Sequence, residues 1–165
     1  MRPQTPYAAA LGDRDPATAM PETLARFESL TAAWTPADFE RRVAPGKWSA
    51  RQILVHLAQT EMALGTRARM AVSTPNYVAQ PFEQDAWMAR EAGLDGRHAA
   101  AALVAIARMN LAWFASLTAS DRAVAFAHPE YGSLTVDWIF HQVAGHQIHH
   151  LRQLEQIGIG PGSYQ

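Results

Sequence analysis

The sequence predicts an all-α protein, a four-helix bundle with a long connection between the second and third helices. Three observations carry this expectation. Apolar residues recur at helical spacing in four segments, prolines and glycines mark the divisions between them, and nothing alternates convincingly with a period of two. The chain has 165 residues, 48% of them apolar, which is one domain's length with enough apolar surface for one core.

Residues 1–15 are polar, hold Pro3, Pro6 and Gly12, and read as a flexible arm ahead of a bundle domain over 16–165. Asp15-Pro16 is a helix start, and Met20, Leu24, Phe27, Leu30 and Trp34 then recur at helical spacing until Thr35-Pro36. A connector runs through Ala44-Pro45-Gly46-Lys47-Trp48. Ser49 and Gln52 have capping-box spacing, so a second helix is expected from there to about Ser73, with Ile53, Leu57, Leu64, Ala68 and Ala71 as its stripe. Residues 74–95 read as a long loop with room for one helical turn, and loops of that length are often functional. A third helix is expected from about Gly96 to Leu117, with Leu103, Ile106, Asn110, Trp113 and Leu117 on its face. A connector at His128-Pro129-Glu130-Tyr131-Gly132 leads to a fourth helix from about Thr135 to Ile157, which Gly158 would stop. Strands are not expected.

Composition excludes several functions. Cysteine is absent, which removes disulfides, thiolate metal sites and cysteine nucleophiles. A net charge of −1, from 14 basic and 15 acidic residues, argues against a nucleic-acid-coating surface. The apolar runs read as too short for a membrane span, and no signal-peptide core stands at the N-terminus, so a cytoplasmic protein is expected.

Seven histidines remain, four of them between His141 and His150. With about 100° per residue and Ile139 as the origin, the core face of the fourth helix centres at about 40°. His150 then lies at about 20° and His146 at about 340°, on or beside that face. His149, at about 280°, and His141, at about 200°, lie off it. Two imidazoles four residues apart stand one turn apart on one face, the usual helical metal chelate. A pair of core histidines satisfied by backbone or water is the alternative. His56 supplies a third candidate ligand at the edge of the second helix's stripe, where a helix-to-helix hydrogen bond or a solvated edge is equally open. Glu61, on the apolar side of that helix, could accept a hydrogen bond from a ligand histidine.

These residues resemble a known family. Pro45-Gly46-Lys47-Trp48-Ser49, Ile53-Leu54-Val55-His56-Leu57 and Glu61 are similar to the second-helix signature of the DinB-like superfamily, the small DNA-damage-inducible four-helix proteins related to YfiT. Gly132-x-Leu134-Thr135 and His146-x-x-His149-His150-x-x-Gln153 resemble its fourth-helix signature. The resemblance implies an up-down-down-up bundle, often a homodimer, with one divalent metal on His56, His146 and His150. His149 then matches a family histidine that is not usually a ligand, and Gln153 stands where it could orient His150 or a water. Three neutral histidines suit zinc, nickel, copper or ferrous iron. Related branches include bacillithiol transferases and mycothiol-dependent isomerases. They imply a low-molecular-weight thiol cosubstrate and transfer to an electrophile in stress response or detoxification. A metal-dependent hydrolase and a non-catalytic metal- or ligand-binding stress protein are the rival readings.

Other residues have double readings. Arg67 and Arg69 could meet an anionic substrate or be solvated surface charges. Tyr77, Phe82, Asp85 and Trp87 could lid the pocket, or Trp87 could pin the long loop. Trp48, Trp113 and Trp138 read as packing residues, and His98, His128 and His141 as surface residues. Val55, Met62 and Ile148 lie opposite their helices' stripes, which suggests a dimer contact or a face covered by the N-terminal arm.

Overall fold

The computed structural model describes residues 2–91 and 93–159, and of Ile159 the backbone alone. Four long helices form the frame: α2 (Pro16–Thr31), α4 (Ala50–Ser73), α6 (Gly96–Ser116) and α8 (Val136–Ile159). Short helices α1 (Ala8–Leu11), α3 (Pro36–Phe39), α5 (Gln84–Arg90) and α7 (Ala119–Arg122), and strands β1 (Ala125–His128) and β2 (Gly132–Thr135), lie between and around them. The starts of the long helices follow local chemistry. The Asp15 carboxylate accepts from the Ala17 N–H at 2.7 Å, and Asp95 accepts from the N–H groups of Arg97 and His98. At Ser49 both arms of the capping box are made, the Gln52 side chain reaching back to the Ser49 N–H at 2.9 Å.

Around the bundle the order is α2, α6, α4, α8, so helices consecutive in the chain are not all neighbours. Cross-contacts give the directions. Along α2 and α8, Arg26 meets Glu155, and Leu30 lies over Gly158, so both helices run the same way. Along α4 and α6, Glu61 meets Asn110 and Arg69 lies over Trp113, again parallel. Glu28–Arg108 and Trp34–Arg97 make α2 and α6 antiparallel, and Glu61–Gln147 with His56–His150 do the same for α4 and α8. The result is up-down-down-up, as the resemblance implied.

The structure departs from expectation at several points. Residues 125–135 form a two-stranded antiparallel hairpin, with Phe126 paired to Leu134 and both buried. Four residues per strand are too few to display a period, so the alternation passed unnoticed. The hairpin is tied to the long connection, where the Ala79 N–H donates to the Ala127 carbonyl at 2.8 Å. Within that connection Trp87 is 39% exposed and stands edge-on to Phe82, while Met88 is the buried residue of α5. Helix α8 runs through Gly158 to Ile159, within two residues of the expected end, and Leu30 and Trp34 lie over Gly158. Residues 7–11, expected as a loose arm, lie against α8 with Leu11 buried.

Val55 and Ile148 do not form an outward apolar face. Both are buried within the chain, whereas Met62 is exposed. The first three turns of α4 are enclosed on all sides, between α5, α6 and α8, so a single-stripe reading undercounts their burial. Ile148 shares its core cluster with Leu11 of the arm. Helix α6 is long and apolar enough to cross a membrane by length and composition, contrary to the expectation from the runs. In the bundle its Leu103, Ala107 and Phe114 are buried, while Arg108 pairs with Glu28 on the outside.

The core divides into two clusters. One gathers Leu24, Phe27, Ile53, Leu54, Leu103, Leu154 and Ile157, and the other Met20, Leu64, Phe114, Ile139, Phe140 and Val143. Between them lie buried polar groups from three helices: His56, Gln59, Thr60 and Glu61 of α4, Asn110 of α6, and His146, Gln147 and His150 of α8.

Candidate metal centre

Burial of so many polar groups costs stability unless they satisfy one another. One part of the layer does so except at Gln147 Oε1, which is buried without a partner among the described residues. The Glu61 carboxylate accepts from Asn110 Nδ2 at 2.8 Å and from Gln147 Nε2 at 2.5 Å, and Asn110 Oδ1 in turn accepts from Arg69 at 2.7 Å. Asn110 reaches Glu61 because residue 65 is glycine, where a Cβ would stand 2.5 Å from Asn110 Oδ1. Burial pushes the Glu61 carboxyl up to about 7, against the lowering effect of its two amide donors. Glu61 therefore does not serve a ligand histidine directly. It holds Gln147, the neighbour of His146.

The other part is the histidine cluster. His56, His146 and His150 are all buried, and one ring nitrogen from each lies within 4.8 Å of the others. His56 Nε2 and His146 Nε2 stand 3.0 Å apart, and the His146 and His150 rings are edge-to-face at 4.5 Å between centroids. His150 Nδ1 donates to Gln153 Oε1 at 2.7 Å, the orienting contact expected of Gln153, which leaves Nε2 free. Gln153 Nε2 also meets His149 Nε2 at 3.3 Å, so His149 stands beside the cluster. His56 Nδ1 is buried without a hydrogen-bond partner among the described residues.

Desolvation first, then the neighbouring histidines, lowers these groups: His56 to about 3, and His146 well below its ordinary value. His150 is lowered to about 4, again chiefly by desolvation. At neutral pH all three are uncharged and present lone pairs. His56 Nε2 and His146 Nε2 are at hydrogen-bond distance, the helix-to-helix contact open to His56, and the same 3.0 Å suits a shared ion, since two imidazole nitrogens each at about 2.0–2.1 Å from one ion stand roughly 3–3.4 Å apart. The donor set fits a divalent metal.

Sequence reasoning missed Tyr7. Its ring lies 4.7 Å from that of His146 and 5.1 Å from that of His149, so the N-terminal arm roofs the cluster. The approach depends on Gly145, where a Cβ would stand 2.5 Å from the Tyr7 carbonyl oxygen. Trp138 Nε1 donates to the Gln4 carbonyl and holds the arm from the other end. Trp48 covers His56 at 4.9 Å, more than the plain packing role expected of it. His128 and His141 are not surface residues. His128 is buried at the end of β1, and His141 is half-buried with Nδ1 against the Asp137 carbonyl. His98 is exposed, as expected.

A cleft of about 250 Å³ opens beside His56 and His146, between α4, α8, the hairpin and the long connection. A second, of about 400 Å³, reaches His150 from the 43–48 connector and includes Lys47 and Trp48.

Comparison with known proteins agrees with this fold. A protein of Oceanobacillus iheyensis, named as a candidate metal-dependent hydrolase, is 26% identical over 113 residues, which cover 68% of this chain and 66% of that protein, just under two thirds of its length. YfiT from Bacillus subtilis, described as a candidate metal-dependent hydrolase with an unusual four-helix bundle topology, superposes with a TM-score of 0.77 at 19% identity. That match covers 86% of this chain and 83% of YfiT. A mycothiol-dependent maleylpyruvate isomerase superposes with a TM-score of 0.71 at 11% identity, covering 92% of this chain but 63% of the isomerase. These two similarities are of fold. The family itself is given by the sequence: residues 19–154, from the first long helix to the turn after His150, match the profile of the DinB superfamily, and the chain belongs to that superfamily.

Proposed function

We propose that the protein is a metal-dependent enzyme acting on small molecules, that His56, His146 and His150 hold one divalent ion, and that the reaction transfers a low-molecular-weight thiol to an electrophile. The observation that carries the reading is the convergence of three buried, uncharged imidazoles in a chain without cysteine, with separate clefts reaching the cluster. A divalent ion there lowers the pKa of a bound thiol or water and so supplies a nucleophile at neutral pH. The chain's own residues do the rest. Gln153 fixes the tautomer and rotation of His150, Trp48 and Tyr7 cover the ring faces, and the apolar walls exclude water. Two clefts suit two organic reactants, whereas hydrolysis requires one.

The second reading is a metal-dependent hydrolase, favoured by the names of the Oceanobacillus and Bacillus proteins. Zinc-, nickel- and iron-loaded protein should be incubated with chlorodinitrobenzene and bacillithiol, mycothiol or glutathione, and separately with a panel of esters and amides. Thiol adducts that disappear in His150→Ala support transfer. Hydrolysis with no adduct supports the second reading, and neither activity from a metal-loaded protein leaves a metal-binding protein without turnover.

A further inference from the structure

Sequence alone left Arg67 and Arg69 undivided, and the structure separates them. Arg69 is used internally, donating to Gly65 O and Asn110 Oδ1 and lying over the Trp113 ring. Arg67 lines the cleft beside His56 and His146. Among the described residues its one hydrogen bond goes to the carbonyl of Gln80 at 2.5 Å, and none of their carboxylates lies within 4.0 Å of it. A half-buried guanidinium with four of its five N–H donors uncommitted is costly unless something polar meets it.

A second donor faces the same space. His128 Nδ1 accepts from the backbone N–H groups of Glu130 and Tyr131, which places the ring proton on Nε2. Burial holds this histidine below its ordinary pKa, so it is a neutral donor. The cleft's walls carry Leu64, Phe82, Phe126, Leu134, Trp138 and Ile139 beside the polar Thr60 and Gln84. Gln142, one helical turn before His146, contributes a buried amide whose Oε1 has no partner among the described residues.

We propose that Arg67, assisted by His128 Nε2–H, is the specificity-determining residue of this cleft, selecting a substrate with a single carboxylate on an apolar body whose reacting end lies at the histidine cluster. A monoanion suits the charge balance. Among the described residues Arg67 is the one cationic side chain lining the cleft and exposed Glu130 stands at its rim, so little positive charge remains for a dianionic phosphate. Guanidinium geometry suits a planar carboxylate. The cleft's volume lies at the small end for ligand pockets and excludes a peptide. Arg67 follows His56 by 11 residues, about three turns and 16 Å along α4, which returns it to nearly the same face, and both residues line the one cleft.

The proposal rests on the metal reading for its reacting end but is tested without metal. Binding of 4-phenylbutanoate and of its primary amide, which match in shape and differ in charge, is measured by calorimetry on chelator-treated full-length protein. The carboxylate should bind at least tenfold more tightly than the amide. Arg67→Met should bring that ratio close to one, Arg67→Lys should keep part of it, and Glu130→Gln should raise it a few-fold. Loss of the Gln80 contact in Arg67→Met would weaken both probes equally, so the ratio separates recognition from loop support. Equal affinity for the two probes in the wild type, no binding of either at millimolar concentration, or a ratio preserved in Arg67→Met overturns the proposal. A preference that appears only in the metal-loaded protein and vanishes in His150→Ala also overturns it, since the carboxylate then sits on the ion and the metal reading alone survives. A preference in protein that takes up no metal would sustain Arg67's role and remove the metal reading.

Discussion

Buried titrating groups in the polar layer set how the metal-free protein loses stability in acid, and they act in opposite directions. His56, His146 and His150 have folded pKa values well below 6.5, so on acidification the unfolded chain takes up their protons before the folded chain does. Their contribution is present above about pH 6.5 and is lost as pH falls toward 4. Glu61 has a folded value near 7 against 4.5 when exposed, so over pH 5 to 6 the folded chain holds one proton that the unfolded chain has released. Unfolding in that window therefore takes up three protons at the histidines and releases one at Glu61. The net of two corresponds to a loss of about 2.7 kcal/mol per pH unit as pH falls. For a domain with roughly 5–15 kcal/mol of stability, two units would remove much of it. Urea denaturation at pH 5.0, 5.5 and 6.0, on chelator-treated protein, measures the slope. Glu61→Gln should steepen it to about 4.1 kcal/mol per unit, and His150→Ala should flatten it to about 1.4. His128 shifts the same way as the cluster and adds the same increment to the slope of all three proteins, so the differences of about 1.4 kcal/mol per unit between them are the test. A slope unchanged in Glu61→Gln, or stability that rises on acidification of the wild type, would refute the assignment of these protonation states.

Other perturbations have definite expected outcomes. Gly145→Ala should cost about 1–2 kcal/mol in a thermal melt, although glycine-to-alanine in a helix ordinarily gains up to about 1 kcal/mol, because the new Cβ drives Tyr7 and buried Leu11 off α8. Limited proteolysis should then cut within residues 2–14, and a stabilised variant with an uncut arm would contradict the roofing role of Tyr7. Gln153→Ala should weaken metal affinity about 10- to 100-fold in a competing-chelator titration while the helical circular dichroism signal is kept, because His150 loses the acceptor that orients it. Asn110→Ala should destabilise by about 1–3 kcal/mol in urea, since Glu61 loses one of its two amide donors and Arg69 loses an acceptor.

Much of the frame was legible from local chemistry. Asp15-Pro16 and the Ser49–Gln52 box mark helix starts that the structure makes with the expected hydrogen bonds, and Gly96 begins α6 behind Asp95. His146 and His150 were legible because an apolar face that holds two polar rings one turn apart is an inconsistency with few solutions. His56 was harder, since the first turns of its helix are enclosed all round and a wheel places it merely at the edge of the stripe. The remaining features depend on partners distant in sequence. Nothing local says that Tyr7 crosses to Gly145, or that Leu30 and Trp34 lie over Gly158. The Thr35 and Thr118 capping boxes start helices of four residues, too short for any periodicity to register. The Glu61–Asn110–Gln147 network left a trace in the sequence: Glu61 and Asn110 both stood on apolar faces. Pairing them required knowing that α4 and α6 run parallel side by side.

The central claim is that three buried imidazoles form one metal site, and metal stoichiometry tests it most directly. Chelator-treated wild type and the variants His56→Ala, His146→Ala and His150→Ala should be titrated with zinc and nickel against a competing chelator, with bound metal counted by elemental analysis. One equivalent per chain in the wild type, weakened at least 100-fold in each variant, is the expected result. No uptake by the wild type, or a full equivalent retained with unchanged affinity when any one of the three is alanine, would contradict the account.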